Sequence, residues 1–177
     1  MSEMSLELSA APSPPRSRQF FDVSVLKLVV MSTVTLSFYQ IYWFYRNWRL
    51  AKERGEDVWP FVRAVFSVLF AYGLFKEVRE VGRSASMGVV ANASGLAWLY
   101  FFFQLTWRLP DPVWFIGLGS VLPLALVQRD VAKVHRALGF DPHVNDHFTW
   151  KNIVGIIMGG IFILLIIVGM FLPEPAG

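Results

Sequence analysis

The chain has 177 residues, of which 55% are hydrophobic and only 16% charged, against roughly 45–50% and 25% in ordinary globular chains. Its net charge of +3 comes from basic residues at the ends of apolar segments rather than on one soluble face, which gives no case for nucleic acid. The absence of cysteine excludes disulfides, thiolate nucleophiles and Cys-based zinc or iron–sulfur centres.

Residues 1–22 open the chain with Ser, Pro, Ala and Glu, and Pro12, Pro14 and Pro15 stand close together. Such a segment buries too little apolar area to offset its chain entropy, so it is expected to be a disordered tail. The apolar run that follows is too long for a signal-peptide h-region and lacks a small-x-small cleavage site, so it is expected to stay in the mature protein.

From there to residue 173 the pattern is that of a helical membrane domain, with apolar segments at about 24–45, 60–75, 88–107, 112–128 and 152–172, then a short tail at 174–177. Four of these carry uncharged runs close to the ~17–25 residues that cross a ~30 Å hydrocarbon core as a helix. The second is shorter: Arg63 leaves only Ala64–Phe75 uncharged, a length that suits a re-entrant or interfacial helix. Pro60 fits the first turn of that helix, where its missing N–H costs nothing. The fold class is therefore all-α, a polytopic helical membrane protein. It has four full transmembrane helices plus one short re-entrant or interfacial helix, or five spans if that helix crosses.

The first segment ends in the densest aromatic cluster of the chain, Tyr42, Trp43, Tyr45 and Trp48, interleaved with Arg46 and Arg49. Aromatic rings with polar tips settle between hydrocarbon and headgroup, and Arg meets lipid phosphate. These six residues are the expected membrane-interface and lipid contacts. Three apolar segments end in similar turns, Arg46–Ala51, Lys76–Val81 and Arg129–Val134, each with an apolar residue at the third and sixth position on one helix face. Short amphipathic extensions of this kind are expected to lie along cytoplasmic headgroups. The positive-inside rule agrees. Five spans divide Lys and Arg ten to six, whereas a re-entrant second segment with the N-terminus outside divides them twelve to four.

Thr35-Leu36-Ser37-Phe38-Tyr39-Gln40-Ile41-Tyr42-Trp43-Phe44-Tyr45-Arg46 resembles the T-L-G-x-Y-x-x-Y-W-F-Y-K signature of the uncharacterised bacterial membrane proteins grouped as DUF4234-like, with Ser37 where those proteins commonly have Gly. Trp59–Ala64, Leu74–Lys76 and Phe148–Ile153 are similar to segments of related proteins. The resemblance covers about residues 33–80 and implies a bacterial inner-membrane, multi-pass location without an activity.

Two features concern packing. Gly155 and Gly159 form a G-x-x-x-G in the last apolar segment, a groove that lets a second backbone approach, in a dimer or, preferentially, within the same chain. Thr33, Ser37 and Gln40 lie at spacings of four and three and are expected to share one helix face, with Gln104 as a candidate partner. Such an intramembrane polar stripe suits interhelical hydrogen bonding or, alternatively, a solute path.

Little suggests chemistry. Asp141-Pro142-His143-Val144-Asn145-Asp146-His147 brings imidazoles and carboxylates together, but Gly139 and Pro142 argue for a loop, and no Glu follows His143 as HExxH would require. No charge falls in the middle of a full-length span, and neither a nucleophile elbow nor a Walker loop is present. The expected role is non-enzymatic and needs no cofactor or metal. It is that of a structural membrane component that binds anionic lipid headgroups, a second copy or another membrane protein. A small oligomeric transporter or channel is the alternative.

Overall fold

The computed structural model describes residues 18–84, 92–110, 112–141 and 145–171. Among them are seven α-helices: α1 (Val25–Val34), α2 (Phe38–Glu53), α3 (Pro60–Val65), α4 (Ser67–Ser84), α5 (Ala93–Thr106), α6 (Val121–Ala137) and α7 (Trp150–Phe171). A 3-10 helix, Val113–Ser120, leads directly into α6. No strand occurs among the described residues.

The uncharged run 28–45 is not one helix. Ser24 caps α1, its side chain accepting from the Lys27 amide at 3.3 Å. Ten residues later α1 stops in a Schellman arrangement: the Ser37 amide donates to the Ser32 carbonyl (2.7 Å) and the Leu36 amide to the Thr33 carbonyl (3.2 Å). Leu36 takes the left-handed position that Gly usually fills, at φ 47°, and Ser37 follows at φ 71°. Thr35 closes the other side of the turn, its hydroxyl donating to the Met31 carbonyl at 2.6 Å and accepting from the Tyr39 amide at 3.0 Å. Backbone groups freed by the break are thus reused locally, as a turn among apolar residues requires.

The consequence is a hairpin. A continuous helix would hold Phe21 and Asn47 about 39 Å apart, yet the Phe21 amide donates to the Asn47 side chain at 3.0 Å. Residue 21 and residue 47 therefore lie at one end, called the base here, and the Thr35–Ser37 turn at the other. This corrects the expectation of one helix over 24–45: the run folds back on itself.

The second apolar segment does the same. Pro60 starts α3, which ends at Phe66, and α4 returns alongside α2. Phe44 stacks on Phe75 at 6.3 Å, the Trp48 ring lies 3.6 Å from where a Gly73 Cβ would stand, and Arg54 of the α2 end donates to Glu77. Arg63 does not reach outward; its guanidinium sits 4.5 Å over Trp48 and 5.3 Å from Phe70.

A third, longer hairpin completes the body. α5 runs antiparallel to α4, with Tyr100 and Ser67 hydroxyls 3.0 Å apart. The 3-10 helix folds back on α5 so that Gly117 and Gly119 lie against Trp107 and Phe103, and α6 returns to the base. Last, α7 runs parallel to α1, placing Gly155 against Met31 and Gly159 against Val34, then continues as helix to Phe171. The G-x-x-x-G groove is filled by this chain's own α1.

Residues 18–23 tie the base together. Phe20, Phe21, Asp22 and Val23 are all buried, so the last part of the expected 1–22 tail is packed into the protein; residues 1–17 lie outside the described residues, as do 172–177. The three expected exit turns converge on this strap rather than lying outward: Trp48, Ala51, Val78, Val131 and Val134 are buried in one core with Phe20 and Val23.

Candidate functional site

The side chains that carry polarity are inside. Gln40 is buried and exchanges bonds with Ser120 (2.9 and 3.2 Å) while also donating to Ser37 at 3.1 Å. Trp43 donates through Nε1 to Gln128 Oε1 at 2.8 Å; Gln128 donates to the Phe21 carbonyl at 3.4 Å, and Asn47 to the Trp43 carbonyl at 2.9 Å. Together with the Phe21–Asn47 bond this makes a closed ring joining the strap, α2 and α6. A second set, Gln104 donating to Tyr100 at 2.9 Å and Tyr100 meeting Ser67, joins α5 to α4.

Several expected site residues therefore take other places. Trp43 and Trp48 are 0% and 2% exposed, so they are core residues and not headgroup anchors. Tyr42 is exposed, Tyr45 packs partly against the core, and Arg46 lies 5.3 Å over the Phe21 ring. Arg49 is exposed and pairs with Glu53 at 3.0 Å. Thr33 faces outward and does not join Ser37 and Gln40, because the turn at Thr35–Ser37 cancels the helical spacing that related them. Gln104 and Ser37 line one open cleft of about 230 Å³, but Gln40 pairs with Ser120.

The base carries the ionisable groups. Arg18 donates to Asp22, to the Asp141 carbonyl at 3.0 Å, and covers Phe140 at 5.6 Å. His135 is fully buried, edge-on to Phe140, with Nδ1 3.9 Å from Asp22. Arg54 joins the Gln19 carbonyl, Glu56 and Glu77. Burial pushes the Glu77 carboxyl up to about 7, against the opposing pull of Arg54 and with help from Glu56 and Glu80. The Lys27 ammonium is buried and spends its protons on the Asn145 carbonyl (3.3 Å), Asn145 Oδ1 (3.0 Å) and the His147 carbonyl (2.8 Å). His143 lies outside the described residues, and among those described no three His, Asp or Glu side chains could hold a metal.

Sequence reasoning passed over the strap, Asn47, Ser120 and Gln128. Only Gln128 carried a signal, as an uncharged amide just before Arg129, and nothing in its spacing names Trp43 as partner.

The outer surface is the reverse of the interior. Phe38, Leu69 and Phe61 are exposed by 70–72%, and the window Asn152–Gly169 of α7 contains no buried residue. Among the described residues two stretches, Val113–Ala137 and Asn152–Gly169, are long and apolar enough to cross a membrane. No family model, curated protein or solved structure matches the chain.

Proposed function

We propose that this chain is a multi-pass protein of a bacterial inner membrane with a non-enzymatic, structural and lipid-binding role. The inversion of polarity carries the reading: Gln40, Ser120, Trp43 and Gln128 are buried and paired with one another while large apolar side chains cover the outside. In water that surface would be an aggregation liability, whereas in hydrocarbon it is the solvent-facing side. Interhelical hydrogen bonds of ~0.6–2 kcal/mol each then hold the helices where the hydrophobic effect no longer does. The resemblance of residues 35–46 to DUF4234-like proteins points the same way.

Orientation follows from charge. The hairpin bases gather Arg46, Arg49, Lys52, Arg54, Lys76, Arg79, Arg83, Arg129, Lys133 and Arg136, with Arg18 on the strap. Arg108, at the turn between α5 and the 3-10 helix, is the one basic residue at the opposite end among the described residues. On the positive-inside rule the base is cytoplasmic and meets anionic headgroups. In this reading α5, the 3-10 helix with α6, and α7 cross, while α1–α2 and α3–α4 enter and leave from the cytoplasm. The pairing of Gln40 and Gln128 with protein supports the structural role over a solute path.

Because the chain has no cysteine, single Lys52→Cys, Ser84→Cys and Leu109→Cys variants report topology directly. A membrane-impermeant thiol reagent added from the periplasm should label only Leu109→Cys. Labelling of just one of the Lys52 and Ser84 variants would show that α3–α4 crosses and sink the arrangement.

A further inference from the structure

Helix lengths divide the membrane-embedded part into two classes. α1 is about 15 Å long, the uncharged Phe38–Tyr45 part of α2 about 12 Å, and Ser67–Phe75 of α4 about 13 Å. These reach roughly half of a ~30 Å hydrocarbon core. α5 is about 21 Å long, residues 113–128 about 28 Å and residues 152–171 about 30 Å. The turns of the short hairpins are uncharged and carry exposed rings, Phe38 at 72% and Phe66 at 54%, so neither tip has a charge to carry it to the far headgroups. At the other end, both short hairpins are fixed at one height: Asn47 holds the strap, and Arg54 joins the strap to Glu77.

Resting on the membrane reading above, we infer that this protein favours and promotes membrane curvature, with its base on the convex side. Four helices, α1 to α4, occupy the base-side leaflet without counterparts in the other. With each helix about 10 Å across, the excess area is on the order of 300 Å² per molecule. A wedge of that form fits best where the base-side leaflet is expanded. Its preference is the free-energy difference between curved and flat bilayer, and at high density the same difference bends the bilayer. The partner is the acyl-chain region of one leaflet. The hairpins are rigid enough to act as a wedge because the Trp43–Gln128 and Phe21–Asn47 bonds tie them to the crossing α6 and to the strap.

The test uses the full chain carrying Lys52→Cys, reconstituted in giant vesicles of phosphatidylethanolamine and phosphatidylglycerol. An impermeant fluorescent maleimide labels only molecules whose base faces outward, and narrow tubes are then pulled from the vesicles. Enrichment of roughly threefold in tube over flat membrane is expected, corresponding to about one RT of differential preference. Adding Phe38→Lys and Phe66→Lys draws both tips toward the headgroups, and enrichment should fall to about one while the protein still floats with vesicles through α5 to α7. Flotation without enrichment of the parent protein overturns the wedge and leaves the membrane reading standing; failure to float removes both. Independently of folding in the Lys variants, nitroxides at Phe38→Cys and Phe66→Cys should report bilayer-centre depth. Far-headgroup depth at either tip also overturns the proposal.

Discussion

Gly159 of α7 lies so close to Val34 of α1 that a Cβ on it would overlap the Val34 carbonyl oxygen. Gly160, one position on, meets nothing within 4 Å. Gly159→Ala should therefore lower stability by about 1–3 kcal/mol, the usual cost of overpacking, and Gly160→Ala should leave it unchanged. Thermal unfolding of the two variants in the same detergent separates them; equal melting temperatures would mean that α7 does not dock on α1 in this way.

The Trp43–Gln128 bond is buried on both sides. Trp43→Phe leaves the Gln128 oxygen without its donor and should cost about 1–3 kcal/mol. Gln128→Leu removes the orphaned oxygen but also the bond to the Phe21 carbonyl, so the double variant should lose less than the sum of the two single changes. Unfolding of the single and double variants, taken as a cycle, measures the coupling; simple additivity would argue against the pair.

Ser37 sits at φ 71°, where only Gly is free of strain. Ser37→Gly should be neutral to stabilising by up to about 1 kcal/mol despite losing the hydroxyl contact to Gln40, while Ser37→Val should destabilise by about 1–3 kcal/mol. The ordering of melting temperatures, Gly above Ser above Val, is the readout. A Val variant as stable as the parent would argue for an unbroken helix.

Glu77, at the base, has its pKa raised from 4.5 to about 7, chiefly by burial. The folded state thus holds the proton more tightly than the unfolded one, so the contribution favours folding below pH 4.5 and is lost as pH rises through 7. Between pH 5 and 8, stability should decline in the parent and decline less in Glu77→Gln. Parallel profiles for the two proteins would show that Glu77 does not titrate in this range.

Part of the architecture is legible in the sequence. Long apolar runs announced helices, Pro60 marked the start of α3, and Gly155 with Gly159 announced a close helix contact. The site was far less legible. Trp43 and Trp48 looked like headgroup anchors because composition records that a ring is amphipathic, not which face of its helix is covered. The strap was hidden because Phe20, Phe21 and Val23 are too few to register against a Pro- and Ser-rich background.

The sequence by itself determined that the chain is helical, that its apolar runs are bounded by basic turns, and that the last helix must pack through glycines. Only the tertiary structure decided the direction of the chain inside the first run. A charge-free stretch measures how much backbone can be buried, and a span and a folded-back hairpin bury it equally well. The turn at Thr35–Ser37 contains no Gly, Pro or charge; the Thr35 hydroxyl and the Schellman bonds take up backbone groups that the break frees. What holds it there are contacts distant in sequence: Phe21 with Asn47, Trp43 with Gln128 and Val34 with Gly159.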